Sequence, residues 1–301
     1  MGADTRASRN LRRTMVTSIS DAFRQFRTNL EITSLQESTT STRQQNVRDA
    51  VAEDFEVLES FLTGSYRRNT MIAPLTTADI DVFIVLDPKY YADRNQHALL
   101  SSVMETLKKR YTKTPQIKPD GQAVTITFTD FKADVVPGFY RNGGGFFIPD
   151  ANLRRWIPTD PKMHVELWSQ SNKAHGGSLV PLIKMMKCWN RAEGDLFRSF
   201  HLEVLVRHVL KDVTIADYPS GARWVFDKMR DKVWKKVSDP AGYSDDVASH
   251  LAKSDADRMI AALDQAYRRA LTAENYANQG YVKLAINEWR SIFGDYFPAY
   301  G

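Results

Sequence analysis

Cysteine is nearly absent from this chain of 301 residues, in which Cys188 is the only one. A single cysteine excludes an intrachain disulfide, a cysteine-rich zinc site and an iron-sulfur cluster, because each of these needs several thiols. This composition is typical of proteins in a reducing compartment, and we therefore expect a cytoplasmic location.

Long apolar runs are also missing from the sequence. No stretch approaches the roughly 18 consecutive apolar residues of a membrane-spanning helix. Residues 1–10 are small and polar and lack the apolar segment of a signal peptide. We therefore expect no membrane partner.

The net charge is also small, because 41 basic and 36 acidic residues sum to +5. That excess is too small for a dedicated chromatin-binding protein, although it favours anionic ligands. Hydrophobic residues make up 43% of the chain and charged residues 26%, so the chain can bury a substantial core. Its length suggests about two domains.

The order of the predicted elements places a boundary near residue 155. Two helical patterns come first, strand patterns dominate up to about residue 150, and only helical patterns follow. We predict an α/β (α+β) fold in which a mixed sheet with flanking helices is followed by an α-helical lobe. The predicted helices are 11–35, 43–55 (after a polar break at 37–42), 95–111, 161–174, 179–192, 200–212, 221–237, 245–272 and 281–293, and the predicted strands are 56–63, 80–86, 123–128, 131–136 and 146–148.

Two acidic residues begin one predicted strand. Asp79 and Asp81 flank Ile80, and because side chains alternate along a strand, both carboxylates project to the same face. Asp134 lies in a separate apolar strand, where an unpaired carboxylate is costly. The pattern favours three carboxylates that converge from two strands, whereas an isolated Asp-x-Asp is more typical of a surface turn.

Three converging carboxylates repel one another, and divalent cations relieve that repulsion. Ligation by oxygen alone selects Mg²⁺ or Mn²⁺ over zinc. Two such ions about 3.5 to 4 Å apart stabilise the attacking and the leaving oxygen in nucleotidyl transfer. We therefore expect Asp79, Asp81 and Asp134 to be the catalytic residues and the ligands of two Mg²⁺ ions.

Gly64 and Ser65 follow the preceding predicted strand, and thirteen residues separate Ser65 from Asp79. Glycine lets a phosphate approach the backbone, and serine supplies a hydroxyl donor. A Gly-Ser pair by itself is most often an ordinary turn. Its position between a strand and the acidic pair makes it a candidate for phosphate binding.

This arrangement resembles the polymerase-β-like nucleotidyltransferase superfamily, whose pattern is Gly-Ser, a spacer, Asp-x-Asp and a distal Asp. It is most similar to the bacterial CD-NTases, the cyclic GMP-AMP synthase/DncV-like enzymes of anti-phage CBASS systems, which make cyclic oligonucleotides. The resemblance implies a bilobal protein, with N-terminal helices and the catalytic core in residues 1–155 and a nucleotide-binding helical lobe in residues 156–301. It rests on Gly64-Ser65-Tyr66-Arg67-Arg68-Asn69-Thr70, Asp79-Ile80-Asp81-Val82, Ala133-Asp134-Val135-Val136-Pro137 and the tail 288–298.

Lys184 and Lys187 lie three residues apart in a helical pattern and so share one helix face. Two ammonium groups there suit a triphosphate, although a solvated lysine face is the ordinary alternative. The resemblance implies that Lys187 holds the triphosphate of the nucleotide, and we group Lys184 with it.

Ser199 directly precedes another helical pattern, where we expect it to be the N-cap. The segment resembles the Ser-aromatic-His stretch of animal cyclic GMP-AMP synthase, which implies that Ser199 contacts phosphate and that Phe200 stacks on a base. A plain core position is the alternative for Phe200. The zinc-binding insertion of the animal enzyme needs cysteines that this chain lacks, so we expect no obligate DNA activator.

We predict a Mg²⁺-dependent nucleotidyltransferase that converts nucleoside triphosphates, with purines favoured, into a cyclic di- or trinucleotide that a downstream effector binds. A linear oligonucleotide synthase or an RNA-end nucleotidyltransferase is one alternative, because the same carboxylates serve both reactions. A catalytically dead regulator that binds nucleotides or nucleic acid is another, which the net charge and the Arg pairs at 67–68 and 154–155 favour.

The last five residues, 297–301, lack a helical pattern and are expected to form an exposed, flexible tail. An inert terminus is the ordinary interpretation. Some CBASS operons encode a ubiquitin-transfer-like enzyme that joins the C-terminal residue of the transferase to other molecules. The resemblance therefore makes Gly301 a candidate conjugation point.

Overall fold

The computed structural model describes residues 15–75, 78–114, 116–129, 131–243, 246–249 and 251–301, and it has the predicted mixed α/β composition. None of the helices within these ranges is long and apolar enough to cross a bilayer. The helices are α1 (Ile19–Asn29), α2 (Ser34–Val51), α3 (Gly64–Arg67), α4 (Gln96–Arg110), α5 (Pro161–Ala174), α6 (Leu179–Ala192), α7 (Ser199–Val209), α8 (Tyr218–Arg230), α9 (Lys253–Asn278) and α10 (Val282–Phe293). The strands are β1 (Val57–Leu62), β2 (Asp79–Leu86), β3 (Ile117–Asp120), β4 (Ala123–Thr127), β5 (Lys132–Tyr140), β6 (Phe146–Asp150) and β7 (Arg155–Thr159).

Strand β2 occupies an inner position in the sheet, whose order is β1-β2-β5-β4-β3, with β6 and β7 added from β5. Its β-branched and aromatic residues from Val82 to Leu86 are buried, as is typical of an inner strand. β1 pairs with β2 antiparallel, and β5 pairs with it parallel. The parallel register sets Asp81 directly beside Asp134.

Proline residues explain why the sequence pattern predicts the sheet incompletely. The pattern misses β3 and β7, which contain Pro119 and Pro158 and are both edge strands. It also ends β5 at residue 136, whereas the strand continues through Pro137 to Tyr140. Pairing with β4 stops at Val135, so Pro137 lies where one edge of β5 has no β4 partner and a residue without an N–H group is tolerated.

The N-terminal helices differ from the predicted pattern. α2 begins at Ser34 and runs through the predicted polar break at 37–42. A capping box explains this start, because the Thr33 side chain accepts from the Gln36 N–H group and the Gln36 side chain accepts from the Thr33 N–H group. Residue 11, the predicted start of the first helix, lies outside the described residues. Residues 15–18 are not helical, so the prediction is wrong there, and α1 begins at Ile19, after its N-cap Ser18, and ends at Asn29.

In the second half, α5 and α6 coincide with the predicted ranges 161–174 and 179–192. α8 begins at Tyr218, earlier than predicted, because the Asp217 side chain caps it and a proline lies in its first turn. α9 continues six residues beyond the predicted end at 272, until Gly280 with φ +83° follows it. Residue 245 lies outside the described residues, but 246–249 and 251–252 are not helical, so the predicted start is wrong and α9 begins at Lys253.

The buried apolar side chains form two main clusters. One lies between the sheet and the helices α2 and α4. The other lies among the C-terminal helices, and α1 contributes Phe23 and Phe26 to it, where their rings contact Phe293 and Phe297. By packing, therefore, α1 joins the helical cluster, while the boundary at residue 155 stays a prediction.

Candidate functional site

Three carboxylates lie on adjacent strands of the sheet. Asp79 and Asp81 are on β2, and Asp134 is on β5 in register with Asp81. Neighbouring strands are about 4.8 Å apart, so residues in register occupy adjacent positions. The Asp134 carboxylate accepts a hydrogen bond of 2.6 Å from the Thr125 hydroxyl on β4. The structure thus places the three predicted carboxylates on two paired strands.

The surroundings of these carboxylates favour their protonated forms. Burial, reinforced by the charges of Asp134 and Asp79, raises the pKa of Asp81 to about 7. Burial also raises the pKa of Asp79, and it raises that of Asp134 even though the Thr125 hydrogen bond opposes the change. A bound cation removes this cost, because it stabilises the ionised carboxylates.

Gly64 packs directly onto Asp81. Its φ is +63°, and a Cβ atom added at Gly64 would lie 1.7 Å from Asp81 Oδ2. The Thr63 N–H group donates to the Asp81 carbonyl oxygen at 2.9 Å, which fixes the end of β1 to β2. Ser65 follows in α3, and its carbonyl oxygen accepts from two later backbone N–H groups that close the turn. Position 64 therefore requires glycine for both its conformation and its close approach.

The donor set fits a divalent metal of the magnesium or manganese class, since it consists of carboxylate oxygens. The missing side chain at Gly64 also lets the Asp81 carboxylate lie against the backbone of the Gly-Ser turn. Within the described ranges, no three His, Cys, Asp or Glu side chains are gathered closely enough to hold an ion by themselves. Binding of a metal would therefore have to draw the carboxylates together.

A buried ion triad of Arg68, Lys187 and Glu203 joins the sheet lobe to the helical lobe. Glu203 on α7 is fully buried and accepts from Arg68 Nε at 2.9 Å and from Lys187 Nζ at 3.1 Å. Burial favours a higher pKa for Glu203, but the two cations outweigh it and lower the pKa to about 2. The positive charges of Arg68 and Lys187 also oppose the rise in the pKa of Asp81, so the triad lies near the carboxylates.

Lys184 and Lys187 pair with different carboxylates, although they share one helix. The Lys184 ammonium is buried and lies 2.6 Å from Glu31 Oε2, in the segment that follows α1. Lys187 instead contacts Glu203. Lys184 therefore ties α1 to α6 in this structure, and its grouping with Lys187 at a triphosphate stays a prediction.

α7 begins one residue earlier than predicted. Arg198 occupies the N-cap position with extended backbone, and Ser199 is already helical, so the prediction that Ser199 is the N-cap is wrong. Ser199 is exposed in the first turn, where backbone N–H groups have no intrahelical acceptor. The half-buried Phe200 ring stacks on Trp168, with centroids 5.9 Å apart, and the Arg68 guanidinium lies 5.1 Å from its centre.

The C-terminal tail is anchored at both of its ends. Phe297 is fully buried, and the Gly301 N–H group donates to the Val16 carbonyl oxygen at 3.0 Å. Ala299, Tyr300 and Gly301 are exposed, as the sequence predicts, but the prediction that the exposed tail begins at residue 297 is wrong, because Phe297 belongs to the core.

A cavity of about 890 Å³ lies elsewhere, between the C-terminal halves of α5 and α7 and the segment 237–240. None of the predicted site residues lines this cavity. This cavity is therefore not part of the candidate site, which consists of the carboxylates of β2 and β5 and the Gly-Ser turn.

Sequence patterns miss three residues of the site. Glu203 is a single charge within the apolar run Leu202 to Val206, and this isolated position was the signal that could have revealed it. Arg68 belongs to an Arg pair that favours a nucleic-acid surface in the sequence, yet its side chain is buried in the triad. Thr125 has no local signal, because its role depends on the pairing of β4 with β5.

Comparison with known proteins agrees with this architecture. Residues 17–172 match the family described as Second Messenger Oligonucleotide or Dinucleotide Synthetase domain, or SMODS. A cyclic AMP-AMP-AMP synthase from Acinetobacter sp. is 28% identical over 279 residues, which cover 86% of this chain and 79% of the relative.

Solved structures share the fold over nearly the whole chain. Escherichia coli CdnC with ATP has a TM-score of 0.76 at 18% identity, with 93% of this chain and 99% of that chain covered. Vibrio cholerae DncV, a cyclic AMP-GMP synthase, has a TM-score of 0.66 at 16% identity, with coverage of 93% and 87%. The family match spans more than half of the 301 residues, which confirms the resemblance seen in the sequence. The chain therefore belongs to the SMODS family, the bacterial CD-NTases with a polymerase-β-like fold.

Proposed function

We propose that this chain joins nucleoside triphosphates at the carboxylates of β2 and β5 and closes the linear intermediate into a cyclic di- or trinucleotide. Synthesis of cyclic oligonucleotides is the activity of its family. The observation that carries the assignment to these residues is the parallel register of Asp81 and Asp134, with Gly64 packed onto Asp81. Adenine nucleotides are our first choice of substrate, because a relative is named as a cyclic AMP-AMP-AMP synthase.

In this proposal Asp79 and Asp81 hold two Mg²⁺ ions, and Asp134 completes the site. When bound, the ions lower the pKa of the attacking ribose hydroxyl and neutralise the leaving pyrophosphate. Thr125 holds the Asp134 carboxylate in place and favours its ionised form through the 2.6 Å hydrogen bond. No side chain of the protein needs to act as a nucleophile.

The triphosphate lies, in our proposal, between the lobes. The backbone at Gly64 and the hydroxyl groups of Ser65 and Ser199 donate to phosphate oxygens, and Lys187 supplies a positive charge. Phe200 is the candidate for stacking on a base. Lys184 stays paired with Glu31 and so connects α6 to the segment that follows α1.

The test is to incubate the purified chain with labelled nucleoside triphosphates and Mg²⁺ and to identify products by mass spectrometry. We expect Asp79→Asn, Asp81→Asn and Asp134→Asn each to reduce product at least a thousandfold, about 4 kcal/mol in the barrier, while the fold is kept. Asp87→Asn is the matched control, because Asp87 directly follows β2 and caps the next turn. Turnover near that of the wild type in an Asp79 or Asp81 variant would refute the assignment.

The same reaction separates the alternatives. A cyclic product supports the proposal, and a linear product or extension of an added RNA end supports the related transferases. Absence of any product with and without duplex DNA would favour the catalytically dead regulator.

We also propose a cytoplasmic location and a role in anti-phage defence, in which a separate effector binds the cyclic product. Gly301 is our candidate conjugation point. It is exposed, and once its N–H bond to Val16 opens, the residues 298–301 beyond the buried Phe297 can extend by about 13 to 14 Å. Coexpression with a ubiquitin-transfer-like enzyme checks this by mass: adduct on the wild type and none on Gly301→Glu is expected, and equal adduct on both would refute it.

A further inference from the structure

Glu203 is a fully buried carboxylate on an otherwise apolar part of α7. A buried charge is tolerated only where partners compensate the loss of water. Its two partners come from different lobes, since Lys187 lies on α6 and Arg68 directly follows α3. Glu203 therefore connects the Gly-Ser segment to the helix that carries the lysine proposed for the triphosphate.

Arg68 holds Glu203 in a defined orientation. Its Nε and Nη2 groups donate to the two oxygens of Glu203 at 2.9 and 3.3 Å. The guanidinium also lies over the rings of Trp168 and Phe200, 5.5 and 5.1 Å from their centres. A two-point contact of this kind fixes the plane of the carboxylate. The oxygen that accepts from Lys187 is thereby fixed as well.

The charges of the triad also affect the protonation of the Lys187 ammonium. Burial lowers the pKa of Lys187, Arg68 and Arg191 lower it further, and Glu203 opposes them. Two cations and one carboxylate leave the triad with one net positive charge, next to Asp81. Such a charge attracts a triphosphate, provided that the ammonium stays protonated and points toward it.

We propose that Glu203 is a positioning residue that, braced by Arg68, orients the Lys187 ammonium toward the triphosphate of the bound nucleotide. This inference rests on the proposed function, in which Lys187 contacts the triphosphate. Glu203 itself touches neither substrate nor metal. Its effect is therefore exerted entirely through Lys187.

The experiment measures binding of inorganic triphosphate with Mg²⁺ to the full chain by calorimetry, which makes the result independent of base identity. Lys187→Met is expected to weaken binding about ten- to a hundredfold, because a charge-assisted contact is lost. Glu203→Asp keeps the charge but withdraws it by one methylene, and we expect binding at least fivefold weaker. In the Lys187→Met background, Glu203→Asp should have no further effect.

Steady-state kinetics provide a second readout. Glu203→Asp should raise KM for the nucleotide more than it lowers kcat, whereas general loosening of the fold would lower kcat and the melting temperature together. Glu274→Asp is the matched control, because it shortens another helical glutamate that is paired with an arginine. If Glu203→Asp does not fold, Arg68→Lys keeps the positive charge but loses the two-point contact with Glu203, and it should likewise weaken binding at least fivefold.

The outcomes separate this inference from the proposed function. Wild-type binding by Glu203→Asp, or by Arg68→Lys where that variant replaces it, would overturn the inference alone if Lys187→Met weakens binding. Additive effects in the double variant would also overturn it, because they would show that Glu203 acts independently of Lys187. Unchanged binding by Lys187→Met would remove the triphosphate role of Lys187 and this inference together.

Discussion

Replacement of Gly64 by alanine tests whether the close approach of the Gly-Ser turn to Asp81 is part of the catalytic geometry. The added Cβ atom would begin 1.7 Å from Asp81 Oδ2, and real Cβ contacts are essentially never shorter than 3.0 Å. The carboxylate must therefore move by about 1.3 Å to reach that limit, or the turn must move instead. Either change separates Asp81 from the position at which it would share a metal with Asp134.

Backbone strain at position 64 and displacement of Asp81 affect two different quantities, the folding free energy and the reaction rate. A side chain at a φ of +63° costs about 1 to 2 kcal/mol of folding free energy, which a domain of ordinary stability survives. Misplacement of a catalytic group by about 1 Å costs on the order of a hundredfold in rate, or about 2.7 kcal/mol in the barrier. Gly64→Ala should therefore remain folded and lose at least 99% of its activity.

Gly176→Ala is the matched control for this experiment. Gly176 has φ +59°, close to the +63° of Gly64, but an added Cβ atom there would meet nothing within 4 Å. Both variants should lose unfolding free energy through backbone strain in denaturant titrations, with a further loss in Gly64→Ala because its Cβ atom displaces Asp81, while only Gly64→Ala loses product in the nucleotide assay. If Gly64→Ala retains turnover within a few-fold of Gly176→Ala, the contact between Gly64 and Asp81 has no catalytic role.

In the metal-free protein the pKa of Asp81 is about 7 in the folded state, against an ordinary value of 3.8. Protonation of Asp81 therefore contributes fully to the free energy of unfolding below about pH 4, and this contribution is lost as the pH rises to about 7. Thermal melting across this range checks it, and Asp81→Asn should remove this part of the pH dependence. Thr125→Val removes the hydroxyl donor of Asp134 and should raise the pKa of that carboxyl further, so the acid limb of the pH-rate profile should move to higher pH; an unmoved acid limb would contradict this. Lys184→Met breaks the ion pair with Glu31 and should cost about 1 kcal/mol of unfolding free energy while triphosphate affinity is unchanged; tenfold weaker affinity would place Lys184 in the site.

Strand alternation was sufficient to predict that Asp79 and Asp81 share a face, because that geometry is local. Their alignment with Asp134 depends on the register of two parallel strands, which no local pattern specifies. The lysines of α6 illustrate the same limit. Spacing places Lys184 and Lys187 on one face, but the partner of Lys184 is Glu31, which is 153 residues away in sequence.

Some differences between prediction and structure arise because apolar periodicity is followed where another sequence pattern is more informative. The capping box of Thr33 and Gln36 is readable in the sequence and marks the start of α2, yet apolar periodicity alone suggests a break there. Glu203 is different, because its position can be flagged as unusual while its partners can be identified only in the folded chain.

The packing of α1 has a consequence for the order in which the protein forms during synthesis. Phe23 and Phe26 share their core with Phe293 and Phe297, and the Asn29 side chain donates to the Tyr296 carbonyl oxygen 267 residues later. The buried residues of the sheet cluster, by contrast, all lie between Val47 and Phe139. During synthesis on the ribosome, the sheet that carries the carboxylates can therefore form early, whereas Phe23 and Phe26 cannot be buried until α10 has been made. A chain that stops before α10 would present the two rings to solvent, as a target for chaperones and proteases, with the carboxylate strands already paired.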